Sequence, residues 1–283
     1  MSERLDVRKT YKLLVGGAFP RSESGRSYEV LDAKGRFLAN VAQASRKDVR
    51  DAVRAAQAAQ PAWAAHSALL RGQVLYRLAE MAEARAAELG DQVARAEGVD
   101  AGAARASVAR GIDRLVWYAG WADKVGQVLG GANDVAGPFF NFSVPVPVGV
   151  VGVVAPADSS FEGLVDALVA PLVTGNAVVV LASEHRPVPA VLLGEMSATA
   201  DLEAGLVNVL TGRLDELGPV LAAHEAVDGL DLTGASDPAA LAALAADSLT
   251  RVLHAGPPAT PEGGLRRLRA FVDTTTVWHT VGA

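Results

Sequence analysis

The sequence predicts an α/β fold: a Rossmann-like parallel sheet with flanking helices, followed by a separate C-terminal strand. The first observation is a fourfold alternation from Gly149 onward. Strand-like runs at 150–154, 177–181, 206–210, 229–232 and 250–253 are separated by helical stretches at 161–174, 187–199, 214–223 and 237–246. Such βαβ repetition builds a parallel sheet with right-handed crossovers. The second is the near-alternation of Leu268, Ala270, Val272 and Val277, which reads as one strand over Leu265–Trp278.

The elements follow in order. Residues 13–42 read as short strands broken by turns at Gly16-Gly17 and Ser24-Gly25. Ser45 is a candidate N-cap for a helix that runs to Pro61, with Val49, Ala52, Val53 and Ala56 on its apolar face. A second helix is expected over Ser67–Leu89, with Leu70, Val74, Leu78, Met81 and Ala82 inward. A third is expected over Ala101–Leu129, with Ile112, Leu115, Val116, Ala119, Ala122 and Val125 inward. Such stripes are ordinary packing faces. Gly175-Asn176 closes the helix after the first parallel strand. Gly256-Pro257-Pro258 and Pro261-Glu262-Gly263-Gly264 form a breaker-rich link to the tail.

Composition narrows the function classes. Half of the 283 residues are hydrophobic and 20% are charged, as in a chain that buries a real core. A net charge of −6 disfavours nucleic acid and anionic membranes as default partners. No apolar run reaches the roughly 20 residues of a membrane span, and the N-terminus lacks a signal-peptide pattern. The five histidines are scattered, without metal-ligand spacing. A cytoplasmic location is the simplest expectation. The chain has no cysteine.

Several phrases resemble aldehyde dehydrogenases. Gly149-Val-Val-Gly152-Val-Val-Ala155-Pro156, Gly175-Asn176-Ala-Val-Val, Gly205-Leu-Val-Asn208-Val-Leu-Thr211-Gly212 and Leu232-Thr233-Gly234-Ala235 look like that family's successive sheet strands. Tyr11–Gly17, Arg21–Gly25 and Arg71–Tyr76 fit its N-terminal phrases. The subfamily most resembled is the non-catalytic C-terminal half of the aldehyde dehydrogenase 16 type, with its stand-alone bacterial relatives. The resemblance implies an NAD-binding-type domain over 8–256 with a hairpin projecting at 138–148, no catalytic lobe, and an oligomerisation strand and tail over 265–283.

It also locates the functional positions. The family's nucleophile is a cysteine, which attacks the aldehyde and carries the acyl group; this chain has none. Its general-base glutamate corresponds to His254, and its oxyanion-binding asparagine to Asp158. An ionised aspartate only accepts hydrogen bonds, so it repels an oxyanion where a donor is needed. The bland reading of Asp158 is a helix N-cap. Of the coenzyme positions, Glu184, Gly212 and Gly234 remain as vestiges. Leu181 stands at the lysine position and Ala235 at the phosphate-facing serine. No cofactor is therefore expected, beyond weak NAD(P) binding. Ser159 or Ser160 with His185 lacks the nucleophile-elbow spacing of a hydrolase.

Two oligomerisation elements of the family look intact: the hairpin at 138–148 and the tail at 265–279. In the family the tail strand crosses to a partner subunit's catalytic sheet. A second copy of this chain has no such lobe to offer. The resemblance thus implies a pseudoenzyme subunit that pairs with a full-length aldehyde dehydrogenase paralogue. Other readings are a nucleotide or NAD-binding sensor, an aldehyde oxidoreductase with a different site, and a chain with no remaining function.

Overall fold

The computed structural model describes residues 8–256 and 261–281. Pro257 and Pro258 of the expected link, and the last two residues of the expected tail, lie outside the described residues. The first strands, β1 (Thr10–Tyr11), β2 (Ser27–Leu31) and β3 (Phe37–Ala42), form a small sheet in the order β1-β3-β2.

Helix α1 (Arg46–Ala65) starts where expected. Ser45 accepts from the Lys47 and Asp48 N–H groups, and the Asp48 carboxylate accepts from the Ser45 N–H, closing a capping box. The helix does not stop at Pro61 but runs through it to Ala65. Burial of Trp63, two residues further on, outweighs the lost hydrogen bond. The expected helix over 67–89 is two helices, α2 (Ala68–Ala84) and α3 (Ala86–Glu97), broken at Arg85. Its inward face holds Leu75, Leu78, Ala79 and Ala82, whereas Leu70 is exposed. The expected helix over 101–129 likewise divides at Gly120 into α4 (Ala101–Ala119) and α5 (Val125–Leu129). Val116, expected inward, is exposed.

A hairpin of β4 (Gly131–Asn133) and β5 (Phe139–Pro147) follows. The phrase expected to be a whole hairpin is therefore one long strand, and β4 supplies the other arm. Beyond it lies the central sheet: β6 (Val150–Val154), β7 (Ala177–Leu181), β8 (Val207–Leu210), β9 (Gly229–Asp231) and β10 (Arg251–Leu253). All neighbours are parallel, in the order β10-β9-β6-β7-β8. Helices α6 (Glu162–Val173) and α7 (Val188–Ser197) connect β6 to β8 on one face. Helices α8 (Leu214–Ala222) and α9 (Pro238–Ala246) lead back through β9 to β10 on the other. Every residue of β6 and β7 is buried, which is why these strands read as continuous valine runs.

The tail departs from expectation. Residues 265–270 are helical, not extended: α10 (Pro261–Ala270) precedes β11 (Val272–Thr280). Leu265, Leu268 and Phe271 recur every third residue, and Leu268 and Phe271 are buried on the body. The alternation over Leu268, Ala270 and Val272 is a coincidence of spacing across a helix end. β11 pairs antiparallel with β5 of its own chain along all nine residues, Val272↔Pro147 through Thr280↔Phe139, giving a third sheet in the order β11-β5-β4.

Candidate functional site

The parallel sheet gathers the residues singled out in the sequence. Asp158 follows the end of β6, Glu184 that of β7, Gly212 that of β8, Gly234 that of β9 and His254 that of β10. The strands are parallel, so these positions share one rim, in the order His254, Gly234, Asp158, Glu184, Gly212. The direction of strand addition reverses between β6 and β9, and ligands of open α/β sheets bind at the carboxyl ends beside such a reversal.

The side chains on that rim are mostly occupied with structure. Asp158 is exposed and does not cap α6. Phe161 holds the N-cap position, and Ser159, two residues before it, accepts at its Oγ from the Gly163 N–H of the first turn at 2.8 Å. Ser160 donates its hydroxyl to Glu97 Oε1 at 2.7 Å. Both serines thus serve local structure, and neither hydrogen-bonds to His185. His254 is exposed, and its carbonyl accepts from Arg266 Nη2 at 3.1 Å. Gly234 donates its N–H to the Val154 carbonyl at 3.1 Å, and a Cβ there would overlap the Ala155 carbonyl. At Gly212 an added Cβ would sit 2.8 Å from Leu217 Cδ1. Close backbone approach calls for glycine at Gly234, whereas at Gly212 the nearest atom is the end of a side chain.

Glu184 keeps a polar environment. Its carboxylate accepts from Arg213 and, at 3.4 Å, from the Leu214 N–H. Its carbonyl accepts from the Tyr28 hydroxyl at 3.1 Å. Arg213 lies over the Tyr28 ring, 5.0 Å from its centroid. Burial, and then the neighbouring Glu184 charge, push the Tyr28 hydroxyl above its usual pKa, so it stays a donor. The hydrogen bond that Arg213 donates to Glu184 raises the Arg213 pKa as well. These groups border a cavity of about 480 Å³, with Asp32, Ala96 and Arg186 on its other sides. Leu181, at the end of β7, is buried and offers it no polar group.

A buried polar cluster lies at the end of β9, among residues that the sequence phrases do not single out. Asp231, the last residue of β9, is 0% exposed. It accepts from Arg267 of α10 and from the Thr233 N–H at 2.9 Å, while Arg267 Nη2 also donates to Thr233 Oγ1 at 3.1 Å. Nearby, Arg114 of α4 pairs with Asp166 of α6 at 2.8 Å, both largely buried. Asp231 within an otherwise apolar strand was the available signal. Among the described residues no three His, Asp or Glu side chains gather in a way that could hold a metal ion.

Residues 19–255 match the family model described as "Aldehyde dehydrogenase family". The chain belongs to the aldehyde dehydrogenase family. Among its relatives, the 2-hydroxymuconic semialdehyde dehydrogenase of Pseudomonas sp. (strain CF600) is 34% identical over 238 residues, covering 80% of this chain and 48% of that protein. Retinal dehydrogenase 2 of Gallus gallus is 31% identical over 242 residues, 82% of this chain and 45% of its own length. Among solved structures, HpcC from Thermus thermophilus superposes with a TM-score of 0.83 at 30% identity, over 87% of this chain and 48% of that one. The NAD-dependent aldehyde dehydrogenase of Sinorhizobium meliloti gives 0.82 at 26% identity, over 88% and 50%. The chain thus spans about half the length of these relatives. No helix among the described residues is long and apolar enough to cross a membrane.

Proposed function

We propose that this member of the family is a non-catalytic subunit, which associates with a full-length aldehyde dehydrogenase and stabilises or organises the complex in the cytoplasm. The observation that carries the reading is the absence of cysteine from all 283 residues. Without a thiolate there is no thiohemiacetal and no acyl-enzyme for a base to hydrolyse. The other positions agree. Asp158 is an acceptor where the oxyanion needs a donor. His254 is exposed to solvent, and its carbonyl is engaged by Arg266. What the chain retains is a well-packed sheet and the projecting β11-β5-β4 element. Binding to a folded partner through that element, at 138–148 and 265–279, would stabilise both chains by mass action. Co-expression with a full-length paralogue, followed by native mass measurement, is expected to give a mixed complex. Two separate stable species at micromolar concentration would sink the proposal.

A second reading, a nucleotide or NAD(P) sensor, is favoured by Glu184 beside its cavity. The donor set suits a dinucleotide poorly. Leu181 and Ala235 contribute no polar side chain, and Arg213 already holds the Glu184 carboxylate. The expected result of calorimetric titration with NAD and with NADP is no saturable heat up to about 1 mM ligand. A dissociation constant well below that would favour the sensor over the silent subunit.

A further inference from the structure

A groove of about 780 Å³ opens between α2 and α4, and we infer that it binds a small amphiphilic amine, an apolar body that carries one ammonium group. None of its lining residues belongs to the rim of the central sheet or to the β11-β5-β4 element. The inference is therefore independent of the proposed association with a paralogue.

The shape comes first. The two helices touch at Gly72, where an added Cβ would stand 3.0 Å from the Ala119 carbonyl oxygen. Ala68, Ala119 and Ala122 are also small, so the floor is deep. Around it stand Leu69, Leu70, Tyr76 and Val116, all exposed, Leu69 by 65% and Tyr76 by 51%. Leu70 and Val116 follow the helical period of core positions, yet both face solvent. Single exposed apolar side chains are ordinary, but four gathered around one concavity mark a binding surface. The volume lies within the roughly 300–1,000 Å³ of small-molecule sites.

Charge selects the occupant. The charged residues of the groove form two groups. In one, Lys124 Nζ donates to Asp123 at 2.7 Å and to the Gly120 carbonyl, so cation and anion balance. In the other, Arg77 donates to Glu80 at 2.6 Å, and Asp201 adds a second carboxylate. The hydrogen bond to Glu80, and then the charges of Glu80 and Asp201, raise the Arg77 pKa. Two carboxylates thus share one guanidinium, which leaves one negative charge over. Tyr76 lies one turn before Glu80 on the same face of α2, and its ring face attracts a cation. An ammonium group meets both attractions and a carboxylate meets neither. These charges are exposed, where a single pair is weak, so the apolar body supplies most of the affinity and the head group a severalfold preference.

The test uses the isolated chain and three probes with one apolar body: octylamine, octanol and octanoate, which are cationic, neutral and anionic at pH 7. Calorimetric titration is expected to show one saturable site for octylamine, at least threefold tighter than for octanol and at least tenfold tighter than for octanoate. Asp201→Asn keeps a residue that tolerates the left-handed backbone at φ 60° and removes the surplus charge. It is expected to erase the advantage of the amine over the alcohol while octanol binding stays unchanged. Leu69→Gln with Tyr76→Gln alters only exposed side chains and is expected to weaken all three probes, with circular dichroism unchanged. Octylamine without a saturable site below about 3 mM, or octanoate bound as tightly as octylamine, would overturn the inference. So would sedimentation of the wild type as a dimer that the Leu69→Gln, Tyr76→Gln chain does not form, since the groove would then be a contact between copies.

Discussion

Replacing Arg267 with alanine is expected to cost about 3–5 kcal/mol of stability, because it strands a charge in the core. Asp231 is 0% exposed at the end of β9, and Arg267 is its cationic partner. The guanidinium side chain is itself only 14% exposed, so solvent cannot take over the pairing. Thr233 remains as a neutral donor, insufficient to balance a carboxylate. The pair is also the polar tie between α10 and the central sheet, so its loss is expected to loosen the helix that leads into β11. The control is the double replacement Asp231→Leu with Arg267→Met. Exchanging a buried ion pair for apolar residues of similar volume is often neutral or stabilising. Urea unfolding of the wild type, the single variant and the double variant measures this. A loss below about 1 kcal/mol in the single variant, or no recovery in the double, would show that Asp231 is not held as a buried charge.

The parallel sheet was legible because its physics is local and redundant. Strands buried on both faces must be apolar throughout, and β6 and β7 are. Helix starts were legible where a side chain caps them, as at Ser45, Ser67 and Asp237. Helix ends were not. Trp63 carries α1 past Pro61, and Arg85 breaks an apolar stripe that has no glycine or proline at that point. The tail was misread because Leu268, Ala270 and Val272 alternate by accident across a helix–strand junction. The threefold spacing of Leu265, Leu268 and Phe271 was the better signal.

The candidate site divides in the same way. Positions on the rim followed from the family phrases, since each ends a strand. What occupies them did not. Glu184 could be placed from sequence, but its capture by Arg213 joins residues on two different strand ends. The same holds for Asp231 and Arg267, which are 36 residues apart and meet only because α10 folds back on the sheet. At Gly234 the Ala155 carbonyl fills the space a side chain would need, a backbone approach that no sequence pattern announces. Long-range polar pairs and backbone approaches leave no periodic trace in a sequence.

The second large effect is expected at Trp63, far from the rim. Trp63→Ala should destabilise the chain by about 3–5 kcal/mol, the range for emptying a buried aromatic site. The side chain is 0% exposed, and its Nε1 donates to the Leu172 carbonyl at 2.9 Å. Leu172 is in the last turn of α6, where carbonyls have no partner within the helix. Trp63 therefore fills volume between α1 and the sheet and also satisfies a helix end. Trp63→Phe separates the two roles, since it keeps most of the apolar contact and deletes the donor. It is expected to cost about 1–3 kcal/mol, the penalty for a buried acceptor left without a partner. Chemical denaturation of both variants distinguishes the contributions. If Trp63→Phe costs as much as Trp63→Ala, volume matters little at this site. If both are near neutral, α1 is not anchored on α6 through this residue, and its passage through Pro61 needs another explanation.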